Sequence, residues 1–364
     1  MTSPKPSAGL PSVSPCQRQQ MLGALLKGVS RSFYLTLRVL PKDLREPIGL
    51  AYLLARAADT IADSRILPPA SRLEHLQTFR DQVTGPARLS VLHDLERSLT
   101  IEHSITAERA LLSSLPEAFS LLEGLSGADG IRVRNVLQNL IVGMEFDLVN
   151  FPAEDSGEIG TIKDDATLDG YTYHVAGCVG QFWTAILMDH AGDQGGGLDR
   201  WDPEKMSALG IRFGKALQMT NVLRDVPKDL RMGRCYLPLD HLERLEVEPA
   251  QLLEPQTGPK ARPVLLAGIE TAMGHYAAAE EYVLAIPRRR VRLRLAALWP
   301  VLIGLGTLSR LARNQRWVDP RYPSKVSRRW VYSMMALSLL AVGSNLALRV
   351  WMGRLRRNVE AAIF

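Results

Sequence analysis

From Gln17 to Phe364 apolar residues recur at three- and four-residue spacing, and alternating β-branched runs are few. Helices bury such a pattern along one face, and strands do not. Pro, Gly and Ser punctuate it at 67–71, 124–130, 151–160, 192–197, 255–263 and 318–324, which predicts many antiparallel helices joined by loops. No period of roughly 20 to 50 residues repeats, so a solenoid is disfavoured. The expected architecture is one all-α domain over 17–357, after a Pro- and Ser-rich flexible leader, 1–16, and before a short tail, 358–364. A hydrophobic share of 46% with 23% charged residues excludes a wholly disordered chain. Cys16, Cys178 and Cys235 are odd in number and widely spaced, which fits a reducing, cytoplasmic setting better than a disulfide framework or a thiolate zinc site. The stretch Trp330 to Leu348 carries no charge over 19 residues and is about long enough to cross a bilayer. Its Ser333, Ser338, Gly343, Ser344 and Asn345 suit a buried core helix better than lipid.

Two acidic pairs interrupt the apolar pattern. In PIGLAYLLARAADTIADS, Asp59 and Asp63 are four apart, one turn apart on a helical face, with Arg56 a turn before. Like charges so placed repel unless a cation lies between them. One such pair decides nothing, because two Asp at a helix end are ordinarily solvated. PEKMSALGIRFGKALQMTNVLRDVPKDLRMG repeats the spacing with Asp225 and Asp229, and places Asn221 and Gln218 up the same stripe. Two such pairs on apolar helices need compensating positive charge, and a hard cation with oxygen ligands supplies it. Mg²⁺ held by Asp59, Asp63, Asn221, Asp225 and Asp229 is expected, with Arg31, Arg56, Arg224 and Arg234 gripping phosphate. Pro227 predicts a kink or local widening inside the second motif.

With these residues the chain resembles the squalene and phytoene synthase family, the trans-head-to-head prenyl synthases, from about Gln17 to about Arg357. Ser30 to Phe33, SRSF, is similar to the family's entry motif, and Asp59 to Asp63, DTIAD, to its first aspartate motif. Tyr171 to Gly180, YTYHVAGCVG, resembles the block with the catalytic tyrosine, and Gln218 to Asp229 with Gly233 to Pro238, GRCYLP, the second aspartate motif and its sequel. The resemblance implies an all-α isoprenoid synthase fold around a central cavity. It implies that two farnesyl diphosphates, or their C20 analogues, condense with Mg²⁺ through a cyclopropane, presqualene diphosphate or its C40 counterpart. It makes Tyr171 the acid or base of that step, where residue type alone suggests a core tyrosine, with Tyr173 as second candidate. Substrate contacts are expected from Ser30, Arg31, Phe33, Tyr52, Arg56, Gln218, Asn221, Arg224 and Arg234. Ala176, Gly177 and Gly180 permit close helix packing or room for a polyprenyl chain. Phe182, Trp183, Met219 and Trp299 are large enough to floor a cavity.

Among the family's branches the sequence is read as a squalene synthase that reduces the intermediate with NADPH. Lys325 and Arg328 in KVSRR resemble a basic flap near the cofactor phosphates, and a solvated helix start is the alternative. Dehydrosqualene, phytoene or presqualene diphosphate synthesis without NADPH is the other outcome. Charge is polarised: of the net +6, residues from Arg288 onward carry +14 and those before it −8. A non-enzymatic basic helical protein binding nucleic acid or membrane is the contrasting class. Nucleic acid is not expected as a partner. Peripheral membrane contact near Arg354, Arg356 and Arg357 is, because a long hydrocarbon product must leave into lipid. A monomer is expected.

Overall fold

The amphipathic spacing is realised as helices almost throughout the computed structural model, which describes residues 9–30, 37, 40, 42–64, 67–100, 106–190 and 197–363. Contacts group the chain into two compact units, Met1–Leu148 with Ala185–His190, and Val149–Thr184 with Ala191–Phe364.

In the first unit α1 (Pro15–Gln20) opens on Ser14, which exchanges capping hydrogen bonds with Gln17. The leader expected through Cys16 therefore yields to helix at Pro15, because the cap and a proline at the first helical position favour it. A widened turn, Met21–Leu25, leads into α2 (Leu26–Ser30). The helix that carries the first acidic pair is α3 (Lys42–Ala62). Its Leu50, Leu53, Leu54, Ala57, Ala58 and Ile61 are fully buried, a stripe at three- and four-residue steps that fixes which face meets the core. α4 (Pro69–Thr84), α5 (Leu89–Thr100), α6 (Thr106–Leu112), α7 (Leu115–Glu123) and α8 (Gly127–Asn150), this last through Leu148, follow. The rings of Phe79 on α4 and Phe119 on α7 meet edge to face, 5.4 Å between centroids.

The second unit holds β1 (Gly160–Thr161), α9 (Asp165–Thr172), a widened turn at Tyr173–Gly177, α10 (Cys178–Asp189) through Thr184, and α11 (Pro203–Asp229). A 3₁₀ turn (Leu230–Met232), β2 (Arg234–Cys235), α12 (Leu239–Arg244), α13 (Gly258–Ala285) and α14 (Val291–Arg313) complete its centre. α10 and α11 touch backbone to backbone. A Cβ on Gly180 would lie 1.8 Å from the Gly210 carbonyl oxygen, and one on Gly214 2.1 Å from that of Ala176. The small-residue stripe is thus used for close packing. Tyr276 on α13 is fully buried and donates to or accepts from the Thr220 hydroxyl at 2.9 Å. It fits because Gly304 on α14 has no side chain, where a Cβ would stand 1.7 Å from the phenolic oxygen.

Trp330 to Leu348 is neither one core helix nor one span. α15 (Arg328–Ala341) ends, 342–344 turn, and α16 (Asn345–Ile363) begins, taking in the residues expected as a tail. Gly343 and Ser344 are the break: the Ser344 hydroxyl accepts from the Ala347 N–H at 3.2 Å, a cap for the new helix. Among the described residues the one helix long and apolar enough to cross a membrane is α14, which is mostly buried. Trp299 on α14 donates to Ser338 on α15 at 2.9 Å, so it anchors α15.

Candidate active site

The first acidic pair closes α3. Asp59 lies in its last turn, and the Asp63 N–H donates to the Asp59 carbonyl at 2.9 Å, so helical geometry continues and the carboxylates share a face. Arg56 donates to the Asp59 carboxylate and, through Nη2, to Oε1 of Glu108 on α6 at 2.6 Å. Burial, then the Asp63 charge, pushes the Asp59 carboxyl up to about 6 despite Arg56. Burial works against the Arg56 charge, but Asp59 and Glu108 outweigh it and raise its pKa. Tyr52 is half-buried one turn before Arg56 and acts on its charge. Ser30 is buried and its hydroxyl has no hydrogen-bond partner among the described residues. Arg31 and Phe33 lie outside the described residues.

The second pair closes α11. Gln218 is half-buried and Asn221 exposed on the stripe that continues to Asp225 and Asp229. Arg224 clasps Asp225 with both prongs of its guanidinium, Nε to Oδ1 at 2.8 Å and Nη2 to Oδ2. Burial, then the Asp225 charge, pushes Asp229 up to about 6. The widening expected at Pro227 is absent, and α-helix continues through Asp229. Arg231 instead donates to the Pro227 carbonyl, satisfying an acceptor at the helix end. Gly233, at φ +76°, then reverses the chain, where a Cβ would press within 2.9 Å of the Glu158 carbonyl. Arg234 donates to Glu154 at 3.3 Å.

A short parallel bridge joins this motif to the tyrosine block. Gly160 donates to Gly233 O at 2.9 Å, Ile162 to Cys235 O at 3.1 Å, and Leu239 back to Ile162 O at 2.8 Å. Asp164 then caps α9, accepting from the Thr167 N–H at 2.8 Å. The result sets Tyr171, buried, against Tyr236 of GRCYLP in a stack with centroids 4.9 Å apart, and Phe151 edge-on to Tyr236 at 4.9 Å. Tyr173 points elsewhere, donating to Gln181 at 3.0 Å. The two tyrosines are thus separated by environment.

The donor set tests the expected metal. Each pair offers carboxylate oxygens one turn apart, and each contains a carboxyl raised to about 6 by burial and its neighbour, the charge imbalance a divalent cation relieves. Oxygen donors of this kind fit Mg²⁺, which binds through few carboxylates and keeps sites for water and phosphate. Among the described residues no group of three or more His, Cys, Asp or Glu gathers at one point.

The family model for squalene/phytoene synthase matches residues 26–330. The chain belongs to that family. It is 31% identical over 296 residues to the presqualene diphosphate synthase of Zymomonas mobilis, covering 80% of this chain and 83% of that one. It is 29% identical to the 15-cis-phytoene synthase of Synechocystis, over 83% and 78% of the two chains. TcSQS, solved with the ligand BPH1237, superposes with a TM-score of 0.70 at 20% identity, covering 95% of this chain and 98% of that one. The fold is the all-α isoprenoid synthase fold, and the chain is a prenyltransferase of the squalene/phytoene synthase type.

Within this family member, several side chains at the motifs escaped sequence reading. Glu108 shares Arg56 across 52 residues of chain, and Glu154 holds Arg234 across 80; spacing along one helix carries no trace of either. Tyr236 lay inside GRCYLP, where an aromatic between Cys235 and Leu237 was its signal. Met219 lines a cavity of about 370 Å³ with Asp165, Asp169, His241 and His275, on the face of α11 opposite Asn221. Lys325 and Arg328 are exposed, and Ser327 between them caps α15, accepting from the Trp330 N–H at 3.2 Å.

Proposed function

We propose that the chain joins two farnesyl diphosphates head to head into presqualene diphosphate. The carrying observation is the pair of helix ends that each combine two carboxylates, one raised to about 6, with an arginine. A relative named presqualene diphosphate synthase, 31% identical over 80% of the chain, supports the same product. Mg²⁺, when bound by Asp59, Asp63, Asp225 and Asp229, neutralises charge on the departing diphosphate.

The residues contribute as follows. Arg56, oriented by Glu108, and Arg224, oriented by Asp225, would stabilise a leaving diphosphate by preorganised hydrogen bonds. The C1–O bond of one farnesyl diphosphate breaks and its electron pair leaves with diphosphate. The 2,3 double bond of the second molecule attacks C1, leaving a tertiary cation at C3. Loss of a C1 proton to the released diphosphate or to Tyr171 closes the cyclopropane. The buried stack of Tyr171 on Tyr236, with Phe151, would exclude water from that proton.

A second reading continues to squalene with NADPH. It is favoured by Lys325 and Arg328, exposed cations whose side chains have no carboxylate partner among the described residues. Incubation of the purified chain with farnesyl diphosphate and Mg²⁺, with and without NADPH, separates the readings by product. Presqualene diphosphate under both conditions supports the first, and squalene only with NADPH supports the second. Phytoene from the C20 substrate, with no product from the C15 one, overturns both.

A further inference from the structure

Tyr332, Leu337, Leu339, Leu340, Leu346 and Val350 are all exposed, Leu340 to 85% and Leu346 to 73%, and all stand on α15 and α16. Their placement is ordered. On α15, Tyr332, Leu339 and Leu340 fall at i, i+7 and i+8 with Leu337 beside them, while Met334 and Ser338 face the opposite way and are buried. On α16, Leu346 and Val350 are one turn apart, opposite the buried Leu348, Met352 and Val359. The inward faces are fixed to α14: Trp299 to Ser338 at 2.9 Å, Arg294 to Asn345 at 2.6 Å, and Arg313 to the Asn358 carbonyl at 2.8 Å. Between the helices 342–344 make a tight turn, so Leu340 and Leu346 flank its tip. This is a rigid apolar ridge, of a kind soluble monomers do not ordinarily leave in water.

Its surroundings are cationic. No Asp or Glu occurs between Asp319 and Glu360. Arg328 and Arg329 begin α15, and Arg349, Arg354 and Arg357 lie exposed along α16. None of these five has a carboxylate partner among the described residues. Arg356, expected on the same surface, turns inward to Glu280 at 3.7 Å and Glu360 at 3.4 Å.

We propose that the α15–α16 hairpin docks on an anionic lipid surface, its leucine tip entering the acyl boundary and its arginines meeting headgroup phosphates. Charge selects this occupant over a second copy of the chain. A two-fold contact through the ridge would set the same arginines against each other, whereas anionic headgroups complement them. The helices lie on the bilayer and do not span it, since α15 has 14 residues where a span needs about 20, and α16 carries Arg349, Arg354, Arg356, Arg357 and Glu360 along its length. The ridge and its charges stand on their own, independent of which product the enzyme makes.

The test is co-sedimentation of the full chain, without substrate, on vesicles of equal phosphatidylglycerol and phosphatidylcholine and on phosphatidylcholine alone. Binding to the anionic vesicles is expected, with a drop of about tenfold or more for Leu340→Asp combined with Leu346→Asp. Arg354→Gln with Arg357→Gln is expected to weaken binding and flatten its salt dependence. All four positions are exposed, and unchanged circular dichroism and melting temperature show that the variants fold. No binding to anionic vesicles, equal binding to both vesicle types, or full binding by the double Asp variant overturns the proposal. So does a dimer in ultracentrifugation that the double Asp variant dissociates, which would assign the ridge to a second copy.

Discussion

The ends of α3 and α11 present the same Asp-x₃-Asp spacing and balance it differently. At α11 one arginine serves one aspartate: Arg224 forks onto Asp225, and the distal Asp229 is left raised to about 6. At α3 one arginine serves two helices: Arg56 contacts Asp59 and Glu108, and Asp59 itself remains raised to about 6. In both, burial is the larger cause and the neighbouring carboxylate the second; the arginine offsets them only in part, forked onto the other aspartate at α11 and shared with Glu108 at α3, which leaves each end short of positive charge. A cation that supplies the deficit acts on both ends alike, although their protein partners differ.

The supports behind the two pairs differ as well. α11 is locked to its neighbours by glycines that admit no side chain, with Gly214 against the Ala176 carbonyl. On α3 the corresponding small residue, Gly49, faces only the tips of Leu22 and Leu26, where a Cβ would find 3.3 Å. One aspartate pair is held by backbone contact and the other by adaptable side chains.

The equivalence of the pairs breaks first on removal of a carboxylate. Asp59→Ala and Asp225→Ala are each expected to lower turnover of farnesyl diphosphate by about a thousandfold; full activity in either would detach that helix end from the chemistry. The difference in support is sharpened by Gly214→Ala, expected to cost about 2–3 kcal/mol by urea unfolding. Gly49→Ala is expected within about 1 kcal/mol of the parent, because leucine tips can yield. Equal losses would erase the contrast.

Removing the competitor addresses the charge argument. In Glu108→Gln, Arg56 is left to Asp59, whose carboxyl then moves down from about 6. The acid limb of the pH–rate profile shifts to lower pH, and no such shift is expected from Glu281→Gln, which removes the exposed partner of Lys205 and acts on neither Asp59 nor Asp229. The smallest effect is thermal. Asp59 and Asp229 lie above the ordinary carboxylate value, so in the metal-free protein their contribution to stability is complete at low pH and lost as pH rises through about 6. On the proposed metal role Mg²⁺ would bind the ionised carboxylates, so its stabilising increment in melting temperature is expected to be larger at about pH 7.5 than at about pH 5. Equal increments at both would place the metal elsewhere.

Sequence pattern carried the helices, because the stripe from Leu50 to Ile61 is written at three- and four-residue spacing and burial follows it. It carried the aspartate pairs for the same reason, each being a contact within one helix. It failed where partners are remote, as for Glu108 with Arg56. It also failed where polar residues have two meanings. Ser338 is buried under Trp299 as a core reading requires, yet Gly343 and Ser344, taken with it, end one helix and start another. The basic run at Lys325 had two readings of equal form; the cap at Ser327 shows a helix start there, which is compatible with either. The widened turn at Tyr173–Gly177 left no mark in spacing.

The four-residue bridge between Gly160–Thr161 and Arg234–Cys235 has a temporal meaning. Its strands lie about seventy residues apart in the chain, so it forms only after a large loop has closed and lost that freedom. Helices α9 and α11 need no such closure. During refolding, helical signal is therefore expected to return before the Tyr171–Tyr236 stack exists. The chain would then hold its acidic residues in helices well before it has a dry wall in which an allylic cation could survive, and catalytic competence would be the last property it acquires.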